Sequence, residues 1–365
     1  MSPLRIYLIS NLYPKEEAND YYGVFVKNFI TSLGQSNEIA FTGFSLIRGR
    51  GKSRMEKLVK YIRFYADILR KGLFGKYDII YVHNVSHTAL PLLAVRLFTR
   101  KDIVLNPHGE DILTNSKTTA LLLKLAKPLI RKANIVAPSG FFRDIIIRQF
   151  RKKKEDVAIY PSGGVDTRFF TPAEDRVARE DYCIGFVSRL DAKKGWETYL
   201  KTMKALAMNG FPVRGLVAGK GTQVAEFEHM LQELGLEKHV LYAGGLNQQA
   251  LADLYRQMDI FVFPTEYEES LGLVGLEAMA CGVPVAGTRI GGLQDFIKDH
   301  ENGYFFEKGD HAVLTNILIQ FIQLSPAEKQ RLSVNARATA LQFDATKART
   351  ELIQQLKHWF NTRKI

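Results

Sequence analysis

The sequence has few cysteines and no long apolar run, and each shortage excludes a class of protein. Only two cysteines, Cys183 and Cys281, occur among 365 residues, which argues against a disulfide scaffold and is typical of a reducing compartment. No stretch reaches the roughly 20 apolar residues that span a bilayer. Residues 1–10 resemble a short strand and lack the pattern of a signal peptide. With 46% apolar and 24% charged residues, the composition predicts a soluble or peripheral globular protein.

Negative charge is scarce in one half of the chain. Residues 1–167 contain 27 Lys and Arg against 14 Asp and Glu, whereas residues 168–365 contain 23 against 24. An excess of this size predicts an anionic partner for the N-terminal half. Nucleic acid, a membrane surface and a phosphorylated substrate all remain open at this point.

Short apolar segments bounded by turn residues alternate with stretches of helical spacing, about six in each half. Segments that are apolar on both faces predict parallel sheets covered by helices on both sides. Because 365 residues exceed the size of one ordinary core, we expect an α/β protein with two doubly wound domains facing a central cleft. Turn signals between Gly163 and Pro172 predict a boundary there, so the domains are expected at 1–167 and 168–343.

Two loops that follow strands in the first half carry candidate binding residues. Gly23 precedes a predicted helix, where a glycine lets backbone amides approach an anion. The alternative is an ordinary turn glycine. His108 follows the fourth predicted strand beside Gly109 and could donate a hydrogen bond to a substrate oxygen, or it could be an ordinary loop histidine. His83 and His87 are weaker candidates of the same kind.

The loop after the first strand of the second half carries two cations, Arg189 and Lys194, five residues apart and just before a helix. This arrangement suits a diphosphate, which Arg binds with a planar fork and Lys as a point charge. A solvated basic turn is the alternative.

The most specific stretch is 264–285, in which a strand leads into a glycine-containing loop, an apolar helix and another strand. Glu277 lies among apolar residues of that helix. A buried carboxylate without partners is costly, so ligand hydroxyls or a structural ion pair must satisfy it.

These residues together resemble a known family. The spacing of Glu269 and Glu277 resembles a motif of the retaining, nucleotide-sugar-dependent glycosyltransferases of the GT-B fold, family 4 (glycosyl transferases group 1). The sequence Ala-Met-Ala-Cys-Gly-Val-Pro-Val that follows Glu277 resembles the same motif. The resemblance covers nearly the whole chain. Four further segments resemble family elements: 107–111 (Pro-His-Gly-Glu-Asp), 160–170 (Tyr-Pro-Ser-Gly-Gly-Val-Asp-Thr-Arg-Phe-Phe), 188–195 (Ser-Arg-Leu to Lys-Lys-Gly), and the glycine-bearing 291–293 and 301–303.

The resemblance implies a hexosyltransferase with two Rossmann-like domains. The N-terminal domain would hold the acceptor and the C-terminal domain the nucleotide sugar, most simply a UDP-sugar. A last helix over 344–365 would cross back to the N-terminal domain. No metal and no further cofactor are expected.

The same resemblance implies individual roles. Arg189, Lys194 and the helix N-terminus at Leu271-Gly272-Leu273 would bind the donor diphosphate, and Glu277 would accept hydrogen bonds from the ribose. Glu269 and His108 would contact the transferred sugar as catalytic residues, and Gly23 would belong to the donor site. The sequence departs from the family at Ser188, at Ser270-Leu271 and at Gln294-Asp295, and it has a single glycine, Gly23, where many members have two. The donor sugar is therefore not identified.

Two other classes of function share features with this sequence. An epimerase or phosphorylase can share the same fold, and turnover of the donor without an acceptor would reveal it. A nucleic-acid-binding protein would suit the pI near 9.5, but no helix-turn-helix, zinc spacing or RNA-binding aromatic motif accompanies the charge.

The charge pattern also predicts attachment to the inner face of the cell membrane, with a lipid-linked or cell-surface polysaccharide precursor as acceptor. Basic residues flank the apolar helical stripe Leu58, Ile62, Tyr65, Leu69 and Leu73, and they recur at 121–132 and 148–154. Basic amphipathic helices lie in the headgroup plane of anionic membranes. The alternative is that these helices pack on the sheet and present basic faces to water.

Overall fold

The computed structural model describes residues 2–15, 23–109, 112–113, 116–174 and 179–362. The chain divides into two compact units, residues 1–163 together with 346–365, and residues 164–345. The predicted boundaries at 167 and 343 differ from these by a few residues. The difference arises because Val165 donates to the carbonyl of Phe343 and accepts from Ala345, both at 2.9 Å, which ties the connecting segment to the second unit.

The first unit contains a six-stranded parallel sheet in the order β2-β1-β3-β4-β5-β6. Its elements are β1 (Leu4–Tyr13), α1 (Val24–Gly34), β2 (Ile39–Arg48), α2 (Arg54–Phe74), β3 (Ile79–His83), α3 (Ala89–Phe98), β4 (Asp102–Asn106), α4 (Lys117–Lys132), β5 (Asn134–Ala137), α5 (Gly140–Phe150) and β6 (Val157–Ile159).

The second unit contains a parallel sheet in the order β12-β11-β10-β7-β8-β9. Its elements are β7 (Tyr182–Val187), α6 (Trp196–Met208), β8 (Val213–Ala218), α7 (Val224–Glu233), β9 (Val240–Tyr242), α8 (Gln248–Arg256), β10 (Ile260–Phe263), α9 (Leu273–Ala280), β11 (Val285–Thr288), β12 (Gly303–Phe306), α10 (His311–Gln323) and α11 (Pro326–Gln342). The strand order reverses between β7 and β10, the point at which doubly wound sheets bind ligands beyond the carboxyl ends of their strands. The prediction of two doubly wound, Rossmann-like domains is confirmed.

The central strands are buried on both faces, as their apolar sequences predict. All residues of β3 and of β10 are buried, and helices cover each sheet on both sides. The last helix, α12 (Ala345–Thr362), buries Leu352 and Leu356 in the same cluster as Ile6 of β1. Residues 346–362 therefore contribute to the core of the first unit.

The predicted apolar stripe of α2 does not face the core as a whole. The buried residues of α2 are Phe64, Ile68 and Gly72, while Leu58 and Ile62 are 55% and 58% exposed. The reason is the position of the helix. Lys60 donates to the carbonyl of Arg48, the last residue of β2, at 3.3 Å, so this turn of α2 lies beside the end of that strand.

One member of the predicted basic clusters is buried. The ammonium group of Lys152 donates to the carbonyls of Arg131 and Ala133 at 3.0 and 2.7 Å. It closes the C-terminal end of α4 and is not part of a basic surface, because cations near a helix C-terminus satisfy its last carbonyls. Within the described residues, no helix is both long and apolar enough to cross a bilayer.

Candidate active site

Two loops meet at the carboxyl edge of the second sheet, one after β7 and one after β10. Gly195, which begins α6 with φ 80°, lies so close to the second loop that a Cβ would be 1.9 Å from the carbonyl oxygen of Pro264. The backbone amide of Glu266 also donates to the carbonyl of Lys193 at 2.8 Å. The two loops that carry the predicted cations and the first predicted glutamate are therefore held together by their backbones.

Lys194 and Glu269 form an ion pair across these loops. The Nζ atom of Lys194 lies 2.6 Å from Oε1 of Glu269, and the hydroxyl of Thr265 donates to the same oxygen at 3.0 Å. Both charged side chains are largely buried, with 13% and 17% exposure. The sequence predicted separate contacts for these residues, and the structure adds that they contact each other.

Arg189 lies at the solvent side of the same loop. Its guanidinium is 2.9 Å from a carboxylate oxygen of Asp191, and its side chain is 68% exposed. Hydrogen bonds from Thr222, first from its backbone amide and then from its hydroxyl, lower the pKa of Asp191 despite its partial burial. Arg189 is thus placed over the edge of the sheet without being fixed by packing.

Glu277 lies in the first turns of α9 and is partnered by a neutral group. The hydroxyl of Tyr255, on α8, donates to Oε2 of Glu277 at 3.1 Å. Burial raises the pKa of Glu277 to about 7, against the opposing effect of the Tyr255 hydrogen bond. Among the described residues Glu277 makes no ion pair, and the sequence did not identify Tyr255 as its partner.

Among the described residues, no side chain caps the N-terminus of α9. The helix begins after Gly272, which has φ 96°, and the side chain of Leu271 is buried in the core. Gly291 and Gly292 pack against this segment. The backbone amide of Gly292 donates to the carbonyl of Glu269 at 2.8 Å. A Cβ at Gly291 would lie 2.6 Å from that carbonyl oxygen, so the late glycine pair shapes the loop that carries Glu269.

In the first unit, Gly23 begins α1 with φ 73°, and a Cβ there would lie 2.5 Å from the backbone of Leu12 and Tyr13. Close backbone packing thus accounts for this glycine, which also stands at a helix N-terminus. Glu110 and Asp111, which belong to the segment 107–111 that resembles the family, lie outside the described residues.

His108 is paired with a second histidine. The Nε2 atom of His108 is 2.9 Å from Nδ1 of His83, at the end of β3, and the two rings are nearly parallel. Phe25 packs against the His108 ring at 4.3 Å. Burial lowers the pKa of His108 to about 3 and that of His83 well below its usual value, so both rings are neutral near pH 7.

The sequence made His83 only a weak candidate for a binding residue. In the structure it contacts His108. Its Nε2 atom is buried and has no hydrogen-bond partner within the part of the chain that the structure describes. His87 lies elsewhere, with its carbonyl accepting from Tyr65. Among the described residues, no group of three or more His, Cys, Asp or Glu side chains could hold a metal ion.

Each half of the chain matches a known glycosyltransferase family. The family described as glycosyl transferases group 1 matches residues 168–339, and the family described as Glycosyltransferase Family 4 matches residues 17–182.

Curated relatives carry glycosyltransferase names. The D-inositol 3-phosphate glycosyltransferase of Xylanimonas cellulosilytica is 28% identical over 311 residues, which cover 77% of this chain and 72% of the relative. The GDP-mannose-dependent alpha-(1-6)-phosphatidylinositol monomannoside mannosyltransferase of Mycolicibacterium smegmatis is 26% identical over 294 residues, 74% of each chain.

Solved structures share the fold. Sucrose-phosphate synthase from Thermosynechococcus elongatus superposes with a TM-score of 0.76 at 19% identity, over 98% of this chain and 100% of that one. HepE from Anabaena, in complex with UDP, gives a TM-score of 0.75 at 18% identity, over 97% and 100%. The chain therefore has the GT-B fold and belongs to the glycosyltransferases of family 4 and group 1, and it is an enzyme of that kind.

Proposed function

We propose that the enzyme is a retaining hexosyltransferase that moves a sugar from a nucleoside diphosphate sugar, most simply a UDP-sugar, to an acceptor hydroxyl. The observation that carries the proposal is the position of two loops at the strand-order reversal between β7 and β10: one carries Arg189 and Lys194, and the other carries Glu269 and leads into α9. The solved structures of HepE with UDP and with UDP-glucose support the donor class.

The departing diphosphate develops negative charge as the glycosidic bond breaks, and groups already aimed at that charge lower the barrier. We assign Lys194, Arg189 and the first amides of α9 to this task. The ammonium group of Lys194 has three donors, of which Glu269 takes one at 2.6 Å. Lys194 can therefore stay bonded to Glu269 while it binds a phosphate oxygen.

We assign the two glutamates to different parts of the donor. Glu277 would accept hydrogen bonds from the ribose hydroxyls, since only one of its carboxylate oxygens is bonded to Tyr255. Glu269 would bind hydroxyls of the transferred sugar, and His108 would be the contact from the first unit. Gly23 would place backbone amides at the donor. No nucleophile is assigned, and no metal or cofactor is required by these roles.

The test is a transfer assay with a panel of nucleoside diphosphate sugars, with the anomeric configuration of the product read by proton NMR. We expect turnover of a UDP-hexose with retained configuration, both with and without EDTA. An inverted product would contradict the retaining mechanism. Donor turnover that needs no acceptor would favour the epimerase or phosphorylase alternative.

We further propose that the acceptor is a lipid-linked or cell-surface polysaccharide precursor, and that the enzyme works on the cytoplasmic face of the membrane. The support is the charge of the two units. The first has 32 Lys and Arg against 14 Asp and Glu, and the second has 18 against 24. Binding to anionic but not neutral vesicles, weakened as salt shortens the Debye length from ~8 to ~3 Å, would support this assignment. Absence of binding at low salt would return the acceptor to the soluble class.

A further inference from the structure

The first half of α2 packs against the core through Tyr61, but its other large apolar residues are exposed. Residues 54–63 bury no side chain, and Met55, Leu58 and Ile62 are 68%, 55% and 58% exposed. The bond from Lys60 to the carbonyl of Arg48 places this half beside the end of β2. These apolar side chains do not contribute to the packing of the first unit.

Local contacts hold this half helical. The side chain of Ser53 caps the helix by accepting from the amide of Glu56 at 3.1 Å. The Glu56 carboxylate in turn accepts from the amide of Lys52 at 2.7 Å and pairs with Lys60 at 3.0 Å. Caps and one-turn ion pairs stabilise a helix end without tertiary packing. The exposed apolar residues are therefore available to a partner while the helix stays formed.

A basic cavity lies beside this half, between α2 and the end of β2. Its volume is about 360 Å³, and Arg48, Lys60 and Arg63 line it together with Asp67. The Asp67 carboxylate is neutralised by Lys71 at 2.7 Å and Arg70 at 3.2 Å. The charge that the cavity offers is therefore positive and suits a phosphate group.

We propose that residues 52–63 and Arg48 form the docking surface of the enzyme for an anionic lipid bilayer. Met55, Leu58 and Ile62 enter the boundary of the acyl chains, and the cations of the cavity bind headgroup phosphates. Interleaved apolar and basic residues on one helix are the pattern that binds anionic membrane interfaces. This inference rests on the proposed function, because it names the partner of the acceptor-binding half.

The position of the docking surface fits that function. The start of α2 follows the carboxyl end of β2, so the surface lies at the edge of the sheet where ligands of such folds bind. A lipid-linked acceptor would then reach the same edge at which His83 and His108 lie. The opposite edge also has exposed apolar residues, Leu97 and Phe98 at the end of α3, which are 82% and 77% exposed.

The two edges give a matched pair of variants. We would measure co-sedimentation of the full-length enzyme with vesicles of phosphatidylcholine alone and of equal parts phosphatidylcholine and phosphatidylglycerol. Leu58→Gln with Ile62→Gln should weaken binding to the anionic vesicles by about tenfold or more, because attachment scales with buried apolar area. Leu97→Gln with Phe98→Gln should leave it within about threefold. Equal losses in both double variants would overturn the assignment.

The charged part of the surface has its own test. Lys57→Gln with Arg63→Gln should weaken binding to anionic vesicles and reduce its dependence on salt, since each cation near the leaflet contributes to attachment. Binding to neutral vesicles as strong as to anionic ones would overturn the proposal. So would tight calorimetric binding of inorganic phosphate by an enzyme that ignores vesicles, which would make the cavity a site for a soluble anion.

Failure of docking and failure of the proposed function remain distinguishable. Every variant is also titrated with UDP and assayed for donor turnover, and thermal unfolding confirms its fold. A wild type that binds UDP but no vesicles would contradict the docking surface alone. A wild type that binds vesicles but no nucleoside diphosphate would contradict the proposed reaction.

Discussion

The two units of this enzyme have the same architecture and opposite charge. The first has an excess of 18 positive charges and the second an excess of 6 negative ones, by the counts of Lys and Arg against Asp and Glu. At the carboxyl edge of the second sheet, ion pairs such as Lys194–Glu269 are prearranged. At the same edge of the first sheet, the pair His83–His108 is neutral, and the net charge lies on the outer helices instead. Under the proposed function, the second unit would bind a small charged ligand and the first an extended anionic surface.

The largest expected effect tests the charged edge of the second unit. In its proposed role Lys194 is a cation aimed at the departing diphosphate, so Lys194→Ala should lower turnover by roughly 100–1,000-fold, or ~2.7–4 kcal/mol. The control is Lys193→Ala, because Lys193 is exposed and contributes to the loop through its backbone carbonyl. Turnover of Lys194→Ala within about threefold of wild type would remove Lys194 from the mechanism.

The two glutamates should separate binding from turnover. If Glu277 binds the ribose as proposed, Glu277→Gln loses charge-assisted hydrogen bonds worth ~1.5–3 kcal/mol, so calorimetry should show roughly 10- to 100-fold weaker binding of UDP. Glu269→Gln should leave UDP affinity nearly unchanged and reduce turnover. Equal losses of UDP affinity in both variants would contradict the division of roles.

The raised pKa of Glu277 predicts that the affinity for UDP depends on pH. Because burial raises that pKa to about 7, the carboxyl group is largely protonated below pH 7 and accepts weaker hydrogen bonds. The affinity for UDP should therefore rise as pH rises through 7 in the wild type. Glu277→Gln controls for ionisation of UDP itself, since it has the same ligand and no titrating carboxyl. A parallel rise in both proteins would show that the ligand alone is responsible.

The backbone contact between the two loops of the second unit should contribute to the free energy of unfolding. Gly195→Ala places a Cβ against the carbonyl of Pro264 in a left-handed conformation, and it should lower the free energy of unfolding by about 3 kcal/mol. Gly210→Ala has a similar φ and open space around the added Cβ, so it should cost only about 1 kcal/mol. Denaturant unfolding of the two variants would measure the difference. Equal costs would mean that the loops move apart without penalty.

The smallest expected effect concerns the neutral histidine pair of the first unit. His83→Phe keeps a ring against Phe29 but removes the hydrogen bond that orients His108. Turnover should fall about threefold to tenfold, as for the loss of one ordinary hydrogen bond. The melting temperature should hold, because the variant also removes a buried nitrogen without a partner. A large loss of stability with unchanged turnover would make the pair purely structural.

Periodicity predicted the architecture because both sheets are buried on two faces. Each of the two sheets has six strands, as the alternation of apolar segments in each half predicted. The orientation of α2 was not predictable, because its sequence offers one apolar stripe through Leu58 and Ile62 and another through Phe64 and Ile68. Only the position of β2 beside the helix decides which stripe is buried.

The candidate site shows the same limit. The spacing of Glu269 and Glu277 identified the loop and helix that carry them, because both lie within one strand–loop–helix unit. Their partners come from other elements. Lys194 is 75 residues from Glu269, and Tyr255 is 22 residues from Glu277 on a different helix. Such contacts follow from packing, which no local pattern in the sequence encodes.

The most direct test of the division between the two units is hydrogen exchange of the full-length enzyme, with UDP in one arm and anionic vesicles in the other. We predict that UDP protects amides in 188–195 and 270–280, and that vesicles protect 52–63. Protection by UDP confined to the first unit, with 188–195 and 270–280 unchanged, would contradict the account.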